Sequence, residues 1–296
     1  MLYEGYAMIK AVIVDMDGTL LDDKNAVSEY TVSVIKEFQK QGGVFVINTG
    51  RSYVSASRIV KEAGISCDYI CLSGAAVYNA EGECIFCDAL TSEEILAIRK
   101  LEEKNAVYVN YLTAEGVFSE CSKEIAKQYY FKEASLLAQK ANKEFHEEEA
   151  AQKYQWILDM VHYNTDMNQK IKEELPIYKA VVMGMNEPDT EKVKTEIQNH
   201  ATLLIAATSP LSQEINAMRV DKGRAILEYI SKNGILPEEV MVIGDSENDI
   251  PMFQPSFGKK IAMANAIEEL KQRSTDVTAS NTEDGVAYAI ETWGLK

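Results

Sequence analysis

The stretch Ala11-Val12-Ile13-Val14-Asp15-Met16-Asp17-Gly18-Thr19-Leu20-Leu21 decides the fold. Four apolar residues in a row, ending abruptly at a carboxylate, read as a strand buried on both faces, which is what helices on both sides of a parallel sheet produce. Downstream, Ser28 offers a helix N-cap, Tyr30, Val34, Ile35 and Phe38 share one helical face, and Gly42-Gly43 stops the segment. Residues 44–47 repeat the apolar run and end at Asn48-Thr49-Gly50. A helix over 52–62 follows, and a third run over 69–72 ends at Ser73-Gly74. The order β-α-β-α-β predicts a doubly wound α/β sheet. The rhythm returns late: a helix over 222–231, strands over 240–243 and 261–263, a helix capped by Asn265 running to 273, and a last helix over 285–293.

Both ends, 1–88 and 216–296, therefore read as one sheet domain, interrupted by an α+β insert over 89–215. In the insert, Thr91-Ser92-Glu93-Glu94 has the capping-box pattern, opening a helix to about 104. Residues 107–111 and 116–118 read as a strand pair, 122–150 as polar helix, 156–161 and 180–183 as strands, and 190–199 as a helix. Glu147-Glu148-Glu149 reads as a solvated helix face.

Composition narrows the function. With 46 acidic against 30 basic residues the net charge is −16, so nucleic acid and anionic membrane surfaces are repelled on average. The N-terminal ten residues lack a cationic start and an apolar stretch, so the expected compartment is the cytoplasm. Five cysteines in 296 residues fit reduced thiols better than a disulfide framework. Oligomeric state leaves no mark in the sequence.

In a doubly wound sheet, ligands bind beyond the carboxyl ends of the strands. Strand one delivers Asp15 and Asp17, strand two Thr49, strand three Ser73-Gly74, and the late strand Asp245 with Asp249 close behind. Four carboxylates at one rim repel one another unless a cation joins them, and an all-oxygen donor set favours Mg²⁺ over zinc. Asp15 and Asp17, two apart on an extended segment, project to one side, as a nucleophile and an acid/base require. Gly18 lets backbone N–H groups approach a phosphate.

Asp15-Met16-Asp17-Gly18-Thr19 resembles the DxDGT signature of the haloacid dehalogenase superfamily. Thr49-Gly50-Arg51 resembles its second motif, Asp221-Lys222-Gly223 its lysine motif, and Gly244-Asp245-Ser246-Glu247-Asn248-Asp249 its acidic fourth motif. Ala262-Met263-Ala264-Asn265-Ala266 and the segment 281–286 resemble the Cof-type subclass, which carries an α+β cap between the second and third motifs. The resemblance implies a Rossmann-like core and a Mg²⁺-dependent phosphatase acting on small phosphorylated metabolites such as sugar phosphates or phosphorylated cofactors. By the same resemblance Asp15 is the nucleophile that becomes an aspartyl-phosphate and Asp17 the acid/base. Mg²⁺ would sit on Asp15, Asp245 and the Asp17 backbone carbonyl, with Asp249 acting directly or through water. Thr49 and Lys222 would bind phosphoryl oxygens.

Gly18, Gly50, Arg51, Ser73 and Asn248 are the further substrate-binding candidates; Arg51 and Asn248 read equally as loop hydrogen bonders, and Asp249 also reads as the N-cap of a helix over 250–253, alone or in a dual role. Ser73 stands where the Cof-type pattern has Asn. Cys67, Cys71, Cys84 and Cys87 have a spacing that passes for zinc, but 84 and 87 on an extended run would point to opposite faces. Two rivals share the scaffold: a phosphomutase or phosphotransferase, and a regulatory binding protein. The intact carboxylates and Lys222 speak against the second.

Overall fold

The computed structural model describes residues 8–207 and 209–295; most of the N-terminal stretch read for a leader lies outside them. Two compact units emerge, Met1–Cys87 with Val220–Lys296, and Asp88–Arg219.

The first unit begins with β1 (Ala11–Val14), α1 (Glu29–Lys40), β2 (Val44–Asn48), α2 (Tyr53–Glu62) and β3 (Asp68–Cys71). The hairpin β4 (Ala76–Tyr78) and β5 (Cys84–Cys87) follows. Ser28 and Ser52 accept N–H bonds from Thr31 and Ser55, capping the two helices. Every residue of β1 is buried, as the unbroken apolar run requires. Tyr30 departs from its expected core position: it is exposed, its hydroxyl bonds Glu291, and the smaller Thr31 packs inward instead.

The second unit contains α3 (Ser92–Lys104), β6 (Val107–Thr113), β7 (Val117–Phe118), α4 (Lys123–Lys140), α5 (Glu147–Met160), β8 (Val161–His162), α6 (Met167–Lys172), β9 (Ile177–Gly184), α7 (Glu187–Gln198), β10 (Leu203–Ala207) and β11 (Ser212–Ala217). Its sheet runs β10-β11-β9-β6-β7-β8. The capping box at Thr91 forms with Glu94. Residues 156–160, expected as strand, are the end of α5. Ala150, Tyr154 and Leu158 recur every four residues and bury one helical face, Tyr154 and Leu158 clustering with Tyr108, Tyr129 and Tyr130, which overrides the locally strand-like run. Arg219, the last residue of this unit, donates to Asp88 (2.7 Å), Glu94 (2.8 Å) and the Ala89 carbonyl (2.5 Å).

The chain then completes the first unit with α8 (Lys222–Lys232), β12 (Val240–Gly244), β13 (Lys259–Ala262), α9 (Glu268–Arg273), β14 (Asp276–Val277) and α10 (Gly285–Ala289). The sheet order is β14-β13-β12-β1-β2-β3-β4-β5, parallel from β14 to β3. This is an α/β Rossmann-like core with helices packed on a parallel sheet. Among the described residues, no helix is long and apolar enough to cross a membrane.

Candidate active site

The carboxyl ends of β12, β1 and β2 are neighbours in the sheet, so the residues that follow them meet at one rim. Asp15, directly after β1, is buried, and its Oδ1 accepts a 2.5 Å bond from Lys222 Nζ. Lys222 opens α8, whose N-cap is the preceding Asp221. Gly223 is what lets that helix come so close: a Cβ there would lie 1.8 Å from the Pro251 carbonyl oxygen. The ammonium, fully buried, gives its second bond to Asp249 Oδ1 at 2.6 Å. Asp249 uses its other oxygen to accept the backbone N–H groups of Asp245 (2.9 Å) and Ser246 (3.0 Å). Asp249 is not the N-cap of a helix over 250–253: Ser246 caps the 3-10 turn over Glu247–Met252, and Asp249, inside that turn, braces the residues after β12 and faces the cluster.

Asp15, Asp245 and Asp249 each offer a carboxylate oxygen within 4.8 Å of the others, the one such group of three among the described residues. Three carboxylates against one lysine leave an excess of negative charge in a largely buried place. Burial pushes Asp15 up to about 8 against the pull of Lys222, with Asp249 and Asp245 adding to the rise. Burial likewise raises Asp245 to about 6, opposed by the Thr19 hydroxyl bond and helped by Asp249. For Lys222, burial works against the charge, but the two carboxylates outweigh it and hold the lysine cationic above its usual range. A hard divalent cation fits this donor set, because it would reverse the charge cost that the carboxylates pay alone.

Asp17 is placed differently. The chain does not stay extended after Asp15: Leu20 and Leu21 donate back to the carbonyls of Asp15 (3.3 Å) and Met16 (2.9 Å), turning the segment over. Asp17 ends up exposed and takes a two-pronged contact from Arg51, 2.8 Å from Nε and 2.5 Å from Nη2. Thr49 is buried and accepts the Arg51 backbone N–H at 3.2 Å, pinning the β2 loop beside Asp15. A Cβ on Gly50 would lie 3.6 Å from the Ser73 hydroxyl, so those two candidates are adjacent. Ser73 itself holds a left-handed backbone, φ 62°, in a tight turn after β3. Asn248 bonds the hydroxyl of Ser246 in its own loop.

Four residues outside the expected site also serve the rim. Thr19 donates its hydroxyl to Asp245 Oδ1 at 2.7 Å. Asn48, the last residue of β2, donates to the Lys222 carbonyl at 3.2 Å. Asn265, expected to cap a helix, does not: α9 starts later, after Ile267, and the Asn265 amide reaches the Gly18 carbonyl instead. Asn281 reaches the Leu21 carbonyl. Thr19, Asn265 and Asn281 lie within the motif segments, which carry no side-chain role at the rim for them, and Asn48 is marked only as a short polar residue ending an apolar run.

The cysteines stand apart. Cys67 and Cys71 are buried and Cys84 and Cys87 exposed. A bulge in β5 sets Cys84 opposite Tyr78 and Cys87 opposite Ala76, so both share one face, contrary to the expected alternation. No cysteine belongs to a three-ligand group among the described residues.

Residues 12–290 match the family described as haloacid dehalogenase-like hydrolase. A 5-amino-6-(5-phospho-D-ribitylamino)uracil phosphatase of Bacillus subtilis, YwtE, is 28% identical, covering 96% of this chain and 97% of the relative. Phosphatase YwpJ from the same organism is 24% identical over 96% of this chain and 99% of its own. Among solved structures, a haloacid dehalogenase-like hydrolase from B. subtilis superimposes with TM-score 0.77 at 23% identity, covering 96% of this chain and 99% of that one.

Proposed function

Because this chain belongs to the haloacid dehalogenase-like hydrolases, we propose that it is a Mg²⁺-dependent phosphomonoester hydrolase for small phosphorylated metabolites, working through an aspartyl-phosphate on Asp15. The observation that carries this reading is the buried Lys222 joined at once to Asp15 and Asp249 beside Asp245. In the reaction, an Asp15 oxygen attacks phosphorus in line with the ester oxygen, and Asp17 gives that oxygen its proton. Asp17 then takes a proton from the water that cleaves the acyl-phosphate, which returns Asp15 as a carboxylate. Lys222 and the Thr49 hydroxyl bind phosphoryl oxygens and hold the group in line; Gly18, Gly50, Arg51 and Ser73 surround it. Mg²⁺ held by Asp15, Asp245 and the Asp17 carbonyl, with Asp249 behind them, would neutralise charge on the transferring phosphoryl group.

Arg51 fits a double role. Its grip on Asp17 orients the acid/base, and a phosphate arriving nearby offers the guanidinium a competing bidentate partner. The insert, 89–215, acts as cap domain and selects the substrate, since the core groups recognise only phosphate and metal. Phosphorylated sugars, polyols and cofactors are the proposed class, in keeping with the phosphoribityl compound named for the B. subtilis relative. The test is phosphate release across a phosphometabolite panel with Mg²⁺ and with chelator. Turnover of several sugar or polyol phosphates that stops in chelator is the expected result; release indifferent to chelator, or none from any monoester, refutes the proposal.

A further inference from the structure

Gly18 follows Asp17 in the loop after β1. Its φ of +81° is open to glycine, and a Cβ there would lie 2.5 Å from Asp245 Oδ2. The loop's own closure is two backbone bonds, Leu20 to Asp15 at 3.3 Å and Leu21 to Met16 at 2.9 Å, and neither engages the Gly18 carbonyl. What fixes the peptide after Gly18 comes from far along the chain: Asn265 Nδ2 donates to the Gly18 carbonyl at 2.8 Å. The amide has only one orientation available, because its Oδ1 accepts the Asn281 backbone N–H at 3.1 Å. Asn281 in turn donates its side chain to the Leu21 carbonyl at 2.9 Å. Two side-chain amides therefore grip both ends of the turn, and the gripped peptide lies between the Asp17 carbonyl and Thr19, whose hydroxyl holds Asp245.

We propose that Asn265, oriented by Asn281, is a positioning residue that locks the Gly18–Thr19 peptide and thereby sets the Asp17 carbonyl and the Asp245 carboxylate for cation binding. The inference rests on the phosphomonoesterase reading for its catalytic consequence, but its structural part does not. Partners that orient metal ligands typically matter roughly 10–100-fold in metal affinity or activity, whereas an exposed Asn in a merely structural loop bond shifts stability slightly and leaves metal affinity alone.

The test uses the full chain with Asn265→Ala, Asn281→Ala and the double substitution. Mg²⁺ affinity is measured by calorimetry without substrate, hydrogen exchange is followed in residues 16–21, and kcat and KM are measured with p-nitrophenyl phosphate. Asn265→Ala is expected to weaken Mg²⁺ binding and lower kcat by roughly 10–100-fold, with KM within about threefold of wild type. Exchange in 16–21 should quicken, while the melting temperature in chelator stays within about 2 °C. The double substitution should be no worse than Asn265→Ala alone, because both residues act through one peptide. Unchanged Mg²⁺ affinity and exchange in Asn265→Ala overturn the proposal, as does a loss matched by a large drop in melting temperature. Additive effects in the double variant overturn the role of Asn281. If the wild-type protein hydrolyses no monoester yet Asn265→Ala shows the expected Mg²⁺ and exchange changes, the brace is supported and the phosphatase reading alone is refuted.

Discussion

Replacing Lys222 by Met keeps the length and the apolar stem but removes the one cation that Asp15 and Asp249 share. Both carboxylates are almost completely buried, with side chains 5% and 0% exposed, and each lies within 2.6 Å of the ammonium. Asp15, raised to about 8, already holds a proton at neutral pH in the metal-free protein, so without Lys222 it is the second carboxylate that must either stay charged and unpaired, which costs about 3–5 kcal/mol, or take a proton as well. For an aspartate that ordinarily ionises near pH 3.9, protonation costs about 4 kcal/mol at pH 7 and about 1.5 kcal/mol at pH 5. Lys222→Met should therefore destabilise the metal-free protein by about 4 kcal/mol at neutral pH, and by well under half of that at pH 5. At about 2–4 °C per kcal/mol the neutral-pH loss is roughly 8–16 °C in melting temperature. Calorimetric melts of wild type and variant in chelator, at both pH values, read this out directly. Added Mg²⁺ should recover part of the loss by supplying the missing positive charge. A penalty of equal size at pH 5 and pH 7 would mean that lost packing rather than charge accounts for it, and would refute the reasoning.

Other expectations follow from the same cluster. Asp15→Asn should lower turnover by about 10³-fold or more while the fold survives, checked by steady-state kinetics beside circular dichroism. Gly18→Ala should weaken Mg²⁺ binding by about tenfold or more, because the new methyl strikes Asp245 and the backbone is left-handed, as calorimetry would show. In chelator the wild-type protein should lose stability as pH rises from about 4 to about 8: Asp245 and Asp15, raised to about 6 and about 8, make the folded state hold more protons than the unfolded chain. Saturating Mg²⁺ should flatten that slope, and a melt series that steepens instead would contradict it. Replacing residues 89–215 with a short linker should abolish discrimination among phosphometabolites while leaving a folded core; retained ranking of substrates would sink the cap assignment.

How much of this was legible in the sequence depended on whether local chemistry and tertiary role coincided. β1, β2 and β12 were readable because each is an apolar run cut off by a polar residue, and the same cut places Asp15, Thr49 and Asp245 at the rim. The hairpin β10–β11 has no such signal, being recognisable only by pairing, β10 to β11 and β11 to β9. Asn265 reads as a cap because it is an amide shortly before Glu268-Glu269, and only the fold brings Gly18 within its reach. The turn after Asp15 was equally hidden: nothing in Met16 or Asp17 reveals backbone bonds from Leu20 and Leu21.

The guanidinium of Arg219 grips Asp88, Ala89 and Glu94, so the entry and exit of the inserted unit are fastened to each other inside that unit. To the catalytic sheet, a folded insert is then a connector of a few residues, although roughly 130 intervene in the chain; if the insert melts, closing the loop costs the sheet about 3 kcal/mol more. The clasp makes the insert an exchangeable cassette: any module whose ends are tied as tightly can occupy the same seam without disturbing the register of β1, β2 and β12, and a graft with loose ends would be felt at Asp15 as lost stability.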